Sequence, residues 1–229
     1  MSADPRLILP LDLPSVVEAR QMVETLGDAV SFYKIGLELL ATDGMGLARE
    51  LKTQGKQVFL DWKLHDIGAT VERSARVLAG AGCDLLTVHA EPQVMQAAVK
   101  ASAGSDLKIL AVTVLTSLND ADLIEMGYAF GARDLVARRI RQAVECGVDG
   151  IVSSPQEAAL AREIAGPDFL VVTPGVRPFW SAKNDQARAA TPADALKAGA
   201  SHLVCGRPIT AANDPREAAL KVVAEMAGV

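Results

Sequence analysis

The chain has 229 residues, half of them apolar, with 22% charged residues and a net charge of −5. That length and apolar share exclude a disordered chain and fit one large α/β domain over residues 1–229 better than two small ones. The acidic balance, with no cluster of five or more basic residues, argues against a nucleic-acid partner. No apolar run approaches a membrane span, and Met1–Pro5 has neither a basic region nor a long apolar core, so no membrane association and a cytoplasmic location are expected. The three cysteines, Cys83, Cys146 and Cys205, are scattered and form no CxxC pair, which fits reduced thiols rather than zinc.

Short apolar runs alternate with longer helical patterns. Leu7–Asp12 is the first strand, and Pro14 opens a helix to about Leu26. Phe32–Gly36 is the second strand, followed by one helix through Lys52. Val58–Lys63 is the third, with a helix from Ala69 to Ala81 stopped by Gly82. Leu85–His89 is the fourth, and Pro92 opens the next helix. Ile109–Leu115 is the fifth. A polar stretch, Ser117–Gly131, then leads into a helix over Asp134–Cys146. Gly150–Ser153 is the sixth strand, with a helix from Gln156; Phe169–Pro174 is the seventh; His202–Gly206 is the eighth, before a last helix at Pro215–Met226. Eight such strands with helical connections predict a closed parallel (β/α)8 TIM barrel. An open doubly wound sheet would need a glycine-rich first turn, and Leu11–Pro14 has none.

In such a barrel all carboxyl ends of the strands open on one rim. The third strand ends most densely, in Asp61-Trp62-Lys63-Leu64-His65-Asp66. Alternation puts Asp61 and Lys63 on one face and sends Trp62 into the helical layer, with Asp66 where the strand yields to a loop. A structural ion pair capping a strand would account for this. However, a lysine flanked by acids at a strand end is also how enzymes arrange chemistry, because buried charge must be paired. Asp12 ends the first strand, Lys34 lies on the second, and Thr116–Ser117 and Ser153–Ser154 end the fifth and sixth. Two lysines and two aspartates facing one another would titrate as a coupled set. The seventh and eighth ends pair glycine with arginine: Gly175 with Arg177, and Gly206 with Arg207. Gly206-Arg207-Pro208 alone reads equally as an ordinary turn; with Arg177 on the neighbouring loop, a phosphate grip is favoured. Of the histidines, His65 is expected to point away from Asp61 and Lys63, His89 could face the rim without marking a metal site, and His202 is structural. The longest irregular stretch is Pro174–Thr191.

On these residues the chain resembles the bacterial type of orotidine 5′-phosphate decarboxylase, over nearly its whole length. Besides Asp61-x-Lys63-x-x-Asp66, the matching segments are Leu11-Asp12, Tyr33-Lys34-Ile35-Gly36, Val112–Ser117, Thr173–Pro178, Asp185-Gln186 and Gly206-Arg207-Pro208. The resemblance implies decarboxylation of orotidine 5′-phosphate to UMP, the last step of pyrimidine nucleotide synthesis, without a cofactor or metal. It implies that Lys34, Asp61, Lys63 and Asp66 form the catalytic array, with Lys63 as proton donor. Asp12 would bind a ribose hydroxyl. Asp66 and Thr70 would reach the partner's site across a homodimer interface. Thr116 and Ser117 would contact the pyrimidine, and Pro174, Arg177, Gln186, Gly206 and Arg207 would complete substrate binding at the phosphate end. The Pro178–Arg188 loop would close over the phosphate. Relatives run Pro-Asn-Thr after the Asp-Ile pair, where this chain has Gly68-Ala69-Thr70. The alternative is a related barrel family with the same D-x-K-x-x-D, which binds magnesium for sugar-phosphate enediolate chemistry. Its members place a glutamate ligand where this chain has Lys34, whose charge repels a divalent cation.

Overall fold

Eight parallel strands pair in sequence order and close on themselves in the computed structural model, which describes residues 3–181 and 190–228. They are β1 (Leu7–Pro10), β2 (Phe32–Ile35), β3 (Gln57–Leu64), β4 (Leu85–His89), β5 (Lys108–Val112), β6 (Gly150–Val152), β7 (Leu170–Thr173) and β8 (His202–Val204). Closure runs through Leu7↔Leu203 and Ile8↔Val204. The helices outside the sheet are α1 (Val16–Leu26), α2 (Leu37–Leu40), α3 (Gly44–Thr53), α4 (Gly68–Ala79), α5 (Pro92–Ser102), α6 (Asp120–Glu125), α7 (Ala132–Cys146), α8 (Ala158–Ala165), α9 (Pro192–Lys197), α10 (Arg207–Thr210) and α11 (Pro215–Met226). The expected (β/α)8 barrel is therefore the observed fold. Among the described residues no helix is long and apolar enough to cross a membrane.

Strand alternation divides the core in two. Ile8, Phe32, Phe59, Leu85, Leu110, Val172 and Val204 fill the inside of the barrel. Their neighbours Leu7, Leu9, Tyr33, Ile35, Val58, Leu60 and Trp62 face the helices instead. Helices present a matching stripe: α1 buries Val16, Ala19, Val23 and Leu26, and starts where the Ser15 hydroxyl accepts the Glu18 N–H.

Besides shifts of one or two residues at other element ends and the unexpected short helices α9 and α10, four departures from the sequence reading have a local cause. The single helix expected after the second strand is two, because the Asp43 carboxylate accepts from Gly46 N and caps α3 afresh. The polar stretch before α7 contains α6, nucleated by a capping box between Asn119 and Asp122. The helix expected from Gln156 begins as a 3₁₀ turn, Pro155–Glu157, before α8. The fifth strand stops at Val112 rather than Leu115. Its two neighbours supply pairing only as far as His89 and Val152, both opposite Val112; Thr113 N still reaches Val152 O at 3.4 Å, and the ladder ends there.

At Gly150 the β6 backbone lies hard against β7. A Cβ there would lie 2.3 Å from the Leu170 carbonyl oxygen and 2.4 Å from Leu170 Cβ. Neither neighbour is a flexible side-chain end, so β6 and β7 would have to separate. Gly150→Val is expected to cost about 3 kcal/mol, seen as a lower urea midpoint at unchanged slope. A midpoint equal to the parent's would show that the two strands part freely.

Candidate active site

One step above the apolar floor, the inward positions turn polar. Phe32, Phe59 and Leu85 point into the barrel, and two residues further along the same strands come Lys34, Asp61 and Thr87. Asp12 lies two residues beyond the end of β1. Lys34 Nζ is 3.0 Å from Asp12 Oδ1 and 3.3 Å from Asp61 Oδ2, and Lys63 Nζ is 2.8 Å from Asp61 Oδ1. The structure thus brings together Asp12, Lys34, Asp61 and Lys63 as a chain of alternating sign. Side-chain exposure falls from 52% at Asp12 to 9% at Lys34 and 15% at Asp61, then rises to 26% at Lys63. The middle of the array is therefore largely out of water, where an unpaired charge would be costly.

Burial alone would push the Asp61 carboxyl up. The charges of Lys34 and Lys63, with hydrogen bonds from Lys63 and Thr87, outweigh it and hold Asp61 below the usual carboxylate range. The array thus favours the ionised form of Asp61. Gly36 makes room for this arrangement: a Cβ there would fall 2.7 Å from Asp12 Oδ1 and 3.0 Å from Lys34 Nζ.

Lys63 does not reach Asp61 by simple alternation. The β3–β4 register shifts between Leu60↔Leu86 and Leu64↔Val88, so Asp61, Trp62 and Lys63 stand opposite Thr87 alone. Lys63 takes φ +48°, the left-handed region, and no other non-glycine among the described residues has a positive φ. Trp62 packs in the outer layer as expected.

The remaining expected residues are distributed differently. Asp66 is exposed before α4, its Oδ1 accepting the Ile67 N–H at 2.6 Å, and it is not an ion-pair partner of Lys34 or Lys63 in its own chain. Thr70 lies in the first turn of α4, where its hydroxyl accepts from Arg73 at 3.3 Å. The Gly68-Ala69 variation leaves this turn formed, since Ile67 O accepts from Thr70 N and Val71 N. Thr116 and Ser117 are exposed on the loop between β5 and α6. His65 turns from the array: its ring lies 4.7 Å from that of His89, with Nε2 3.7 Å from Glu91. Burial pushes His89 below the ordinary histidine range. His202 sits at the far end of the barrel, edge-on to Phe32 and bonded to Ser201.

At the opposite side of the rim, Pro174 and Gly175 follow β7, and Gly175 has φ +78°. Arg177 is only 8% exposed. Its backbone N–H bonds Ala190 O at 2.9 Å and its Nη1 bonds Val176 O at 2.9 Å. Gly206 follows β8, where a Cβ would meet Pro10 Cγ at 2.8 Å, and the exposed Arg207 opens α10. Gln186 and most of the expected closing loop, residues 182–188, lie outside the described residues. Two residues the sequence reading missed are Gly36 and Thr87. The signal for Thr87 was a lone hydroxyl at an inward position of an apolar strand beside the charged motif. That for Gly36 was a glycine two residues past Lys34.

The chain matches the family model described as orotidine 5′-phosphate decarboxylase / HUMPS family over residues 5–222. It is 92% identical to the orotidine 5′-phosphate decarboxylase of Caulobacter sp. (strain K31) over 229 residues, covering 100% of both chains. It is 57% identical to that of Rhodopseudomonas palustris (strain BisB5), covering 98% of this chain and 97% of the other. Among solved structures it is similar to the orotidine 5′-phosphate decarboxylase of Lactobacillus acidophilus, with TM-score 0.85 and 37% identity over 97% of this chain and 99% of that one.

Proposed function

Because the chain belongs to the orotidine 5′-phosphate decarboxylase / HUMPS family, we propose that it decarboxylates orotidine 5′-phosphate to UMP as a single (β/α)8 domain over residues 1–229. The observation that carries this reading is the Asp12–Lys34–Asp61–Lys63 array, with a lysine ammonium held 2.8 Å from a buried carboxylate at the mouth of the barrel.

Breaking the bond from C6 to the carboxyl carbon leaves the electron pair on C6, in the plane of the ring. That pair is orthogonal to the π system, so the ring carbonyls do not delocalise it. Stabilisation then has to come from fixed charge. Lys63 presents a cation beside C6 and then gives up one N–H proton to it, so that C–H replaces C–C and CO2 departs. Water reprotonates the neutral amine. Asp61 orients Lys63 and lies near the departing carboxylate, while Lys34 keeps Asp61 paired and Asp12 binds a ribose hydroxyl. Pro174, Arg177, Gln186, Gly206 and Arg207 hold the phosphate end, remote from C6, where binding energy can serve to position the reacting atoms. Thr116 and Ser117 face the pyrimidine.

The reading includes a cytoplasmic homodimer in which Asp66 and Thr70 enter the partner's site. Its support is that Asp66 is exposed and unpaired with the lysines of its own chain, next to Ile67, an apolar side chain 68% exposed. The magnesium-dependent alternative is disfavoured because Lys34 places an ammonium between the two carboxylates that would have to ligate the ion.

The test is UMP formation from orotidine 5′-phosphate in excess chelator. Turnover unchanged by the chelator is expected. No UMP, or activity only on adding a divalent cation, would overturn the proposal.

A further inference from the structure

Thr87 is where β4 meets the charged array carried by β2 and β3. It lies in the middle of β4, fully buried at 0% exposure, on the inward face. Its Oγ1 is 3.0 Å from the backbone N of Lys63 and 3.0 Å from Asp61 Oδ1. The backbone N–H can only donate, so the hydroxyl oxygen accepts from Lys63. The single hydroxyl proton is then free to point at Asp61 Oδ1, the oxygen that also receives Lys63 Nζ at 2.8 Å. The alternative acceptor, Leu60 O, is at 3.5 Å and uncharged, and a carboxylate at shorter range wins.

These two bonds have a structural context. At Lys63 the β3–β4 ladder is interrupted, with three residues of β3 facing Thr87 alone. The Lys63 amide therefore lacks a ladder carbonyl, and a hydroxyl takes its place. The same residue carries φ +48°, a conformation that costs a non-glycine residue about 1 kcal/mol or more and persists only where its surroundings enforce it. From this turn the Lys63 side chain meets Asp61, two residues back along the strand, at 2.8 Å.

We propose that Thr87 is a positioning residue of this site: its hydroxyl accepts from the Lys63 backbone and donates to Asp61, fixing both ends of the Asp61–Lys63 pair. The inference rests on the decarboxylase reading and deepens it. Thr87 touches no reacting atom. It sets where the ammonium stands relative to C6, and a displacement of about 1 Å there is enough to slow a reaction some 10²-fold.

The test compares Thr87→Val, which keeps shape and removes the hydroxyl, with Thr87→Ser, which keeps the hydroxyl. Thr87→Val is expected to lower kcat about 10²-fold while KM stays within about threefold. Thr87→Ser should restore kcat to within about threefold of the parent. Thr87→Ala removes the hydroxyl without β-branching and should match Thr87→Val, which covers failure of the valine protein to fold. A crystal structure of Thr87→Val is expected to show Lys63 out of the left-handed region or its Nζ away from Asp61. Hydroxyl-free variants as active as the parent, a serine variant no better than alanine, or Lys63 unmoved in the crystal would overturn the role. A parent that forms no UMP would instead overturn the decarboxylase reading, and the crystal structure would still decide whether Thr87 holds Lys63.

Discussion

Lys63→Ala is expected to lower kcat by at least about four orders of magnitude, because in the proposed mechanism one side chain supplies two effects. A positioned general acid contributes about 10²–10⁴ and a preorganised charge about 10²–10³. Losses of this kind do not restore themselves through a neighbour. Lys34, the nearest other ammonium, is committed to Asp12 and Asp61 at 3.0 and 3.3 Å and lies at 9% side-chain exposure. Binding should survive, since Arg177 and Gly206, proposed to hold the phosphate, follow β7 and β8 while Lys63 lies on β3. The measurement is single-turnover UMP formation alongside UMP binding by calorimetry. Retention of a tenth or more of the parent rate would remove Lys63 from the chemistry. Loss of UMP binding as well would indicate a collapsed mouth rather than a missing proton donor. Asp61 left with one cation fewer remains paired through Lys34 and Thr87, so the variant is expected to fold.

Mixing two inactive proteins is expected to produce an active one. In the proposed homodimer each site takes Lys63 from one subunit and Asp66 from the other. Lys63→Ala and Asp66→Ala proteins should each be nearly inert. When mixed in equal amounts and allowed to exchange subunits, half the dimers should be hybrids with one intact site of two, or about a quarter of the parent's sites in a symmetric dimer. The exposed Asp66 and Ile67 make this expectation reasonable: a carboxylate anchored to the neighbouring backbone N–H at 2.6 Å is held in position while facing outward. Recovery to about a quarter of parental kcat per site supports sharing between subunits. No recovery, with subunit exchange verified by mass, would return Asp66 to its own chain's site or remove it from catalysis.

The barrel was legible because its strands write themselves as short apolar runs, and the rim because polarity begins where those runs stop. Val58-Phe59-Leu60 followed by Asp61 shows both at once. Lys34 and Asp12 could be placed by the same rule, and they do join Asp61. What sequence could not carry is register. That β3 shifts against β4 after Leu60, and that Lys63 takes a left-handed turn to meet Asp61, follows from how two separate strands pair. Thr87 gains meaning only through that shift. The same applies to Gly36, whose missing side chain matters because Asp12 comes to it from beyond the end of another strand. Where local signals governed, as at Asn119–Asp122 and Asp43, short helices formed inside stretches that overall polarity marked as loop or as one longer helix. Asp66 stayed apart because an exposed turn offers it backbone rather than a cation of its own chain.

The seven side chains packed beneath the array, from Ile8 round to Val204, make the barrel a vessel with a sealed bottom. In the proposed reaction the way in is also the way out: CO2, nucleotide and replacement water would all pass the upper opening. If Lys63 is the proton donor, as proposed, a hydrogen isotope supplied by the solvent would reach the new C–H bond only by first exchanging onto the amine from above. A covered mouth would separate that exchange in time from the bond it feeds.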